Sequence, residues 1–506
     1  MSQTKPNILV IMVDQLSPAF LPMHGFDLVK APNISKLAER GVVFDSAYCN
    51  SPLCSPSRAV FMSGQLPSRS QVYDNASEFR ADIPTWAHYM RRSGYKTILS
   101  GKMHFCGPDQ LHGFEERLTT DIYPSDYGWT PDWDHPERRP SWYHNMSSVT
   151  DAGQTVRTNQ LDFDDEVVFT SERAIYDHVR SPDKRPLCLI ASMTHPHDPY
   201  AIPKEYWDLY ADVEIPLPEH DMAPGDLDAH SKRLRHVCDM DNAEITQEQV
   251  RNARRAYFGA ISYIDANVGK LMKALEAAGL ADNTIVIFTS DHGEMLGERG
   301  LWYKMSWFEN SARVPLIISA PQLYQPHRVE ESVSLVDILP TLVDMADPEA
   351  AGALTDIDGH SLVPHCTGQG GRDEVIGEYL AEGALAPVMM IRRGRFKFVH
   401  SPADPDQLYD LSADPAELTN LAASQEHASV LEGFRKEASE RWNLAEIDEA
   451  VRQSQRRRRV VDAALTLGKI NPWDFQPFRD ASKQYMRNSI DLDDLEAMAR
   501  YPRVRP

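Results

Sequence analysis

The chain has no CxxC pair, no internal repeat, no surplus of basic residues, and no apolar run of the ~18 residues at which a membrane-spanning helix begins. Each absence excludes something. The six cysteines, at positions 49, 54, 106, 188, 238 and 366, are too scattered for a disulfide framework and suit a reducing compartment. A formal net charge of -22 excludes the nucleic-acid backbone as a partner, because no basic surplus exists to displace its counterions. One stretch departs from this balance: "RQSQRRRRVV", Arg452 to Val461, reads as a helix face paired with the protein's own acidic surface. The opening "MSQTKPNILVIMVDQ" enters a short apolar segment broken by Asp14, with no long hydrophobic region and no small-residue cleavage site. A cytoplasmic protein with no membrane partner is expected.

What is present is enough apolar sequence, 42% of 506 residues, to bury a large core. "NILVIMV", Asn7 to Val13, is a continuous apolar run ending at Asp14, the pattern of a strand buried on both faces. "APNISKLAERG" follows as a short helix capped by Pro-Asn and stopped at Gly41. The alternation continues: "IPTWAHYMRRSG" before "YKTILSGKMH", "DEVVFTSERAIYDHVR" before "PLCLIASMTHPH", and a long helix from "ARRAYFG" before "NTIVIFTSDHGE". Strands separated by helices predict an α/β fold, a large mostly parallel sheet flanked by helices. Its strand ends would bring Asp14, Lys102, His104, His197 and Asp291 to one edge. Beyond about residue 370 the pattern becomes antiparallel strands and a terminal helix, a smaller α+β subdomain. The division is therefore 1–375, 376–467 and a C-terminal arm, 468–506, that would either pack on a neighbouring subunit or be an ordinary surface tail.

Asp14, Asp291 and His292 form an adequate ligand set for one divalent cation. The imidazole moves the preference from Mg²⁺ toward Mn²⁺ or Zn²⁺, while the flexible coordination of Ca²⁺ keeps it in play. Arg58, Lys102, His104, His197 and Lys304 concentrate cationic or potentially cationic groups around that set. A small tetrahedral oxyanion, a sulfate or phosphate ester, is the implied target. Cys54, in "NSPLCSPSR", is a small buried hydrophobe, a thiolate nucleophile or the precursor of another group. Near Arg58 and a helix N-terminus its pKa should fall. Attack by sulfur on a sulfate ester would, however, leave a thiosulfate adduct with no encoded route of release.

Cys54-Ser55-Pro56-Ser57-Arg58 resembles the C-x-P-S-R signature of the sulfatases, in the alkaline phosphatase superfamily, whose cysteine is oxidised to formylglycine (3-oxoalanine) by a maturation system. "NILVIMVDQ", "SGKMH", "THPHDPY", "SDHGEMLGERGLWYK" and "LYDLSADPAELTNLA" resemble the family in the same order. "GPDQLHGFEERLTTDIYPSDYGWTPDW" and "YMRNSIDLDDLE" are similar, more narrowly, to the branch that cleaves choline O-sulfate. The resemblance implies that one hydroxyl of hydrated formylglycine attacks sulfur and the other later expels sulfate. By the same resemblance residue 54 also ligates the metal, Arg58 and Lys102 steady it, and His104 assists its deprotonation. His197 and Lys304 would hold the sulfate and help the leaving oxygen depart. Two departures from the family pattern stand out: Gln15 where many members have a second aspartate, and His292 where many have asparagine. They make Gln15 a weaker ligand and favour Mn²⁺ over Ca²⁺ or Mg²⁺. They also resemble enzymes that cleave phosphonate monoesters and phosphodiesters, so that activity, or arylsulfatase activity, is the alternative. A catalytically silent protein that binds an oxyanion or choline is the non-enzymatic one.

A trimethylammonium group cannot donate an N–H hydrogen bond and needs aromatic faces and carboxylates. "DYGWTPDWDHPERRPSWYHNM" supplies Trp129, Trp133, Trp142 and Tyr143, either as such faces or as anchors of their own loop. The resemblance implies Trp129 as the main face, with Asn75, His144 and Glu382 nearby and Asp493 arriving on the arm of a homo-oligomer, dimer or tetramer. His195 would share a face with His197 and join them.

Overall fold

The computed structural model describes residues 5–485 and 490–503, apart from 353 and 355. Residues 486–489, within "YMRNSIDLDDLE", lie outside the described residues. The strands are β1 (Asn7–Asp14), β2 (Val42–Tyr48), β3 (Lys96–Gly101), β4 (Glu116–Arg117), β5 (Gly153–Thr155), β6 (Leu187–Pro196) and β7 (Ala201–Pro203). They continue with β8 (Thr284–Ser290), β9 (Leu316–Ser319) and β10 (His327–Ser334). Eight of them form one sheet in the order β10-β2-β9-β8-β1-β6-β3-β4. All pairs are parallel except those of β9, which runs against β2 and β8.

The unbroken apolar run of β1 has a direct cause. Leu9, Ile11 and Val13 enter one core, and Ile8, Val10 and Met12 enter another on the opposite face. The helices Asn159–Arg180 and Gln247–Ala277 cover the first face. Trp86–Arg92 and Ile338–Ala346 cover the second. The short helix Pro32–Glu39 forms as expected, but its capping differs. Its free N–H groups at Asn33 and Ile34 donate to the Asp265 carboxylate at 2.8 and 2.7 Å, so a partner distant in sequence caps it.

A second, antiparallel sheet follows, β11 (Glu374–Tyr379), β12 (Val388–Arg393), β13 (Phe396–Ser401) and β14 (Asp404–Asp410), paired in chain order. Lys397 of β13 joins it to the body: its ammonium donates to the Trp307 carbonyl at 2.6 Å and pairs with Glu309 at 2.9 Å and Glu417 at 2.5 Å. Two helices, Ala428–Arg441 and Leu444–Leu465, come next. The basic run lies on the second, with Arg452 and Arg456 paired to Asp134, Arg459 to Asp132 and Arg458 to Asp74. It is a structural face meeting the protein's own acids. The last described residues fold back onto this chain, where Tyr501 donates to the Ala278 carbonyl and Arg503 to that of Arg180.

Replacing Lys397 by methionine should destabilise the protein by ~3–5 kcal/mol, because the buried Glu417 carboxylate loses its cation, while the half-buried Glu309 keeps Arg313. The pKa of Glu417, already raised by burial, would rise further, so the folded state would favour its protonation. Stability would be lost as pH rises past the unfolded carboxylate range and recovered as it falls. Thermal melts of Lys397→Met and wild type should differ more at pH 8 than at pH 5.

Candidate active site

Four neighbouring parallel strands, β8, β1, β6 and β3, end at one edge of the sheet. There the chain places Asp291, Asp14, His197 and Lys102, the edge anticipated from the apolar runs. Gly101 lets β3 turn there: its φ is 108°, and a Cβ would collide with the Ser192 carbonyl. The helix Cys54–Ser63 brings its first residue to the same edge, with all ten of its residues buried.

One carboxylate oxygen each from Asp14 and Asp291, a ring nitrogen of His292 and the Cys54 sulfur all lie within 4.8 Å of one another. The His292 Nδ1 sits 3.0 Å from the Gly293 carbonyl, which can only accept, so Nδ1 carries the proton. The Nε2 lone pair therefore points toward Cys54, 3.2 Å away, and is available to a metal. Arg58 donates from Nε to Asp291 at 2.8 Å and from Nη2 to Asp14 at 2.9 Å. Its Nη1 reaches the Lys102 carbonyl at 2.5 Å and the Ser192 hydroxyl at 2.9 Å. Lys102 pairs with Asp14 and stands 4.1 Å above the ring of Tyr123. Burial alone would raise the pKa of Asp14, but Lys102, His197 and Arg58 together hold it well below the ordinary carboxylate range. Two buried carboxylates, an oriented imidazole and residue 54 fit a single divalent cation.

The expected lowering of the Cys54 pKa is overturned. Burial, with the Asp14 charge beside it, pushes the thiol up to about 12 against the pull of Lys102 and Lys304. The Arg58 guanidinium makes its hydrogen bonds to the two aspartates, the Lys102 carbonyl and Ser192. A thiol protonated at neutral pH is a poor nucleophile.

Among the described residues neither ring nitrogen of His104 has a hydrogen-bond partner, and burial followed by the Lys102 charge pushes its pKa down to about 3. Its ring meets those of Tyr123 at 5.2 Å and Trp129 at 5.8 Å. His197 donates from Nδ1 to the Asp198 carbonyl at 2.7 Å and accepts from Lys304 at Nε2, also at 2.7 Å. Lys304 also donates to the Gln15 side-chain oxygen at 2.7 Å. The Gln15 amide nitrogen donates to Glu294, so this side chain is taken up by second partners and not by the four-atom cluster. Only its backbone N–H turns to Asp291, at 3.1 Å.

His195 does not share the surroundings of His197. It is turned to Asp164, 2.7 Å from Nδ1, and to the ring of Tyr263. The register of β1 against β6 shifts between Met12 and Asp14, so strict alternation fails at this strand end. Asn75 accepts from the Ser55 backbone N–H at 2.9 Å, beside the head of the buried helix. Trp129 stacks on Trp142, its centroid 6.3 Å away, and meets Tyr123 edge-on at 5.1 Å. His144 stacks on Tyr303. Glu382 is buried, has a side-chain oxygen without a partner among the described residues, and is pushed up by burial to about 7. Trp133 anchors its loop by donating to the Ala381 carbonyl. Asp493, on the exposed helix Leu492–Ala499, is not brought to the site within this chain.

Four residues were not foreseen. Tyr123 lies between Lys102, His197 and Trp129. Asp121 accepts from the backbone N–H groups of Met103 and His104, both at 2.9 Å. Asp198 accepts from Ser148 and lies 3.6 Å from His144. Glu294, pushed up by burial to about 7, receives Gln15. Asp198 lies within "THPHDP" and Glu294 within "SDHGE", and membership of those motifs was the available signal. Tyr123 and Asp121 sit on a loop without periodicity, inside "GPDQLHGFEERLTTDIYPSDYGWTPDW".

The sulfatase family model matches residues 6–348. The chain belongs to the sulfatase family. Residues 449–501 of this sulfatase match the model described as choline sulfatase enzyme C terminal, and 297–443 match that of the N-sulphoglucosamine sulphohydrolase C-terminus. It is 50% identical to a choline-sulfatase of Rhizobium meliloti (strain 1021) over 99% of this chain and 100% of that one. It is 30% identical to arylsulfatase K of Danio rerio, over 83% of this chain and 81% of the other. Among solved structures, a phosphonate monoester hydrolase of Agrobacterium radiobacter superposes with a TM-score of 0.67 and 27% identity, over 86% and 95% of the two chains.

His292→Ala should weaken binding of a divalent cation at least about tenfold, as loss of a ligand imidazole or its support does elsewhere. Metal content after dialysis, measured by mass spectrometry, checks this. Equal content in variant and wild type would remove His292 from the ligand set.

Proposed function

We propose that this sulfatase hydrolyses choline O-sulfate to choline and sulfate, with Cys54 converted to formylglycine and one divalent cation, Mn²⁺ favoured. The observation that carries this reading is the adjacency of two unlike surfaces at His104. On one side lies the cationic, metal-competent cluster, and on the other the aromatic wall of Tyr123, Trp129 and Trp142. A sulfate monoester of a quaternary ammonium alcohol needs both.

The cation, held by Asp14, Asp291, His292 and residue 54, would polarise the sulfate oxygens. Formylglycine would supply a nucleophile with its own route of release, which the protonated Cys54 thiol lacks. Arg58 pairs with both aspartates and fixes them. His104 would assist deprotonation of residue 54 as the resemblance implies: its neutral ring keeps one nitrogen as an acceptor, and neither nitrogen is tied up by a partner among the described residues. Lys304 and His197 share a proton at 2.7 Å and face the same cluster, placed to bind a sulfate oxygen and to protonate the departing alcohol. Trp129 would present its face to trimethylammonium, with Asn75, His144 and Glu382 around it.

Exposed Val460, Leu467, Ile470, Phe478 and Tyr485 support a homo-oligomer joined through the arm, which would carry Asp493 to a neighbour's site. Six free, buried cysteines support a reducing, cytoplasmic setting, and no helix among the described residues is long and apolar enough to cross a membrane. The likeness to a phosphonate monoester hydrolase supports a slower activity on phosphonate monoesters.

After co-expression with a formylglycine-generating system, kcat/KM for choline sulfate should exceed that for 4-nitrophenyl sulfate or a phosphonate monoester. Trp129→Ala should lower it by about 30-fold for choline sulfate, the value of a desolvated cation–π contact of ~2 kcal/mol. The aryl sulfate should be spared. A wild type that prefers the uncharged aryl ester would defeat the proposal.

A further inference from the structure

The helix Leu444–Leu465 lies outside the sheet that carries the chemistry, yet its inner face reaches three loops beside the site. Arg458, 6% exposed, forms a bidentate pair with Asp74, both contacts at 2.7 Å. The same guanidinium donates to the Thr130 hydroxyl at 3.1 Å, which in turn donates to the Tyr127 carbonyl. One helical turn away, Gln455 accepts from the Trp133 N–H at 2.9 Å. Arg452 donates to the carbonyls of Trp133 at 2.7 Å and Leu385 at 2.8 Å.

The residues gripped are immediate neighbours of those assigned above to the alcohol half of the substrate. Asp74 precedes Asn75 and organises its turn by accepting from the Ala76 N–H and the Ser77 hydroxyl. Thr130 follows Trp129, and Leu385 lies on the loop that holds Glu382. Arg458 touches the first two together. A guanidinium has a planar fork of donors, and one buried between two loops fixes their separation as a flexible ammonium cannot.

We propose that Arg458 is a positioning residue for substrate choice: by clamping Asp74 to Thr130 it holds Asn75 and Trp129 at the spacing that trimethylammonium requires. The inference rests on the choline sulfate reading and adds to it the residue that enforces the preference. The sulfate half is built on strand ends that Arg458 does not touch among the described residues, and on the helix Cys54–Ser63, which it reaches only through the Asn75 contact to Ser55, so the clamp bears chiefly on the alcohol half of the substrate.

The test uses the full-length, matured enzyme. Arg458→Lys keeps the buried charge and removes the fork, and the double variant Asp74→Asn with Arg458→Met removes the ion pair without leaving a lone buried charge. In both, KM for choline sulfate should rise roughly tenfold, with kcat and the kcat/KM for 4-nitrophenyl sulfate within about twofold of wild type. Arg458→Lys should add little further loss in a Trp129→Ala background, because the two act through one contact. Equal losses on both esters would make Arg458 a merely structural residue and overturn the proposal. Retention of the preference in either folded variant would do the same while leaving the choline sulfate reading intact. A wild type with no preference would overturn both.

Discussion

Arg58 is the interaction on which this site depends. Its guanidinium is fully buried and spends its donors on the ends of four adjacent strands: Asp14 of β1, Asp291 after β8, the Lys102 carbonyl after β3 and Ser192 of β6. Burying a charge is costly unless it is paired and fully hydrogen-bonded, and here two carboxylates do both. The reverse also holds. Burial by itself would raise the pKa of Asp14, and a protonated carboxyl is a poor metal ligand. With Lys102 and His197, Arg58 thus holds Asp14 below the ordinary carboxylate range before any metal arrives, and at the same time it clamps the sheet edge that positions both aspartates.

The same constraint explains why Cys54 has to become something else. The sheet edge is closed to water so that charges interact strongly there, and the closure that strengthens the cluster also desolvates the thiol. Proximity to cations lowers a thiol pKa only when their pull exceeds the cost of burial and the push of nearby anions. Here burial and Asp14 outweigh Lys102 and Lys304. A side chain with a non-ionised nucleophilic oxygen avoids this conflict, since its attack does not require a thiolate in a dry pocket.

Much of this arrangement was legible in the chain because it follows from periodicity. Apolar runs ending in polar residues marked strands buried on both faces, and their ends marked the edge where Asp14, Lys102, His197 and Asp291 meet. The arginine run read as a paired helix face, and the acids Asp74, Asp132 and Asp134 bear that out. Features set by long-range burial were not legible. The Cys54 pKa depends on burial and on the Asp14 charge beside it, the Pro32–Glu39 helix is capped from Asp265, and His195 turns away because β1 and β6 slip in register near it. Tyr123 and Asp121 lie on a loop whose path is fixed by contacts, so no periodicity announces them, only their place inside the stretch from Gly107 to Trp133.

The two halves of the pocket have different mechanical supports, and this difference has functional weight. Groups that face the sulfate sit on strand ends and a buried helix, elements whose position is over-determined by the core on both sides. Groups that face the alcohol sit on loops, which the C-terminal helix braces from outside through Arg452, Gln455 and Arg458. A change in the brace alters the spacing of aromatic and amide groups without moving Arg58 or its aspartates. Chemistry and substrate choice are therefore separable in this fold. The sheet edge can remain a sulfate ester hydrolase while its outer brace determines which alcohol is released.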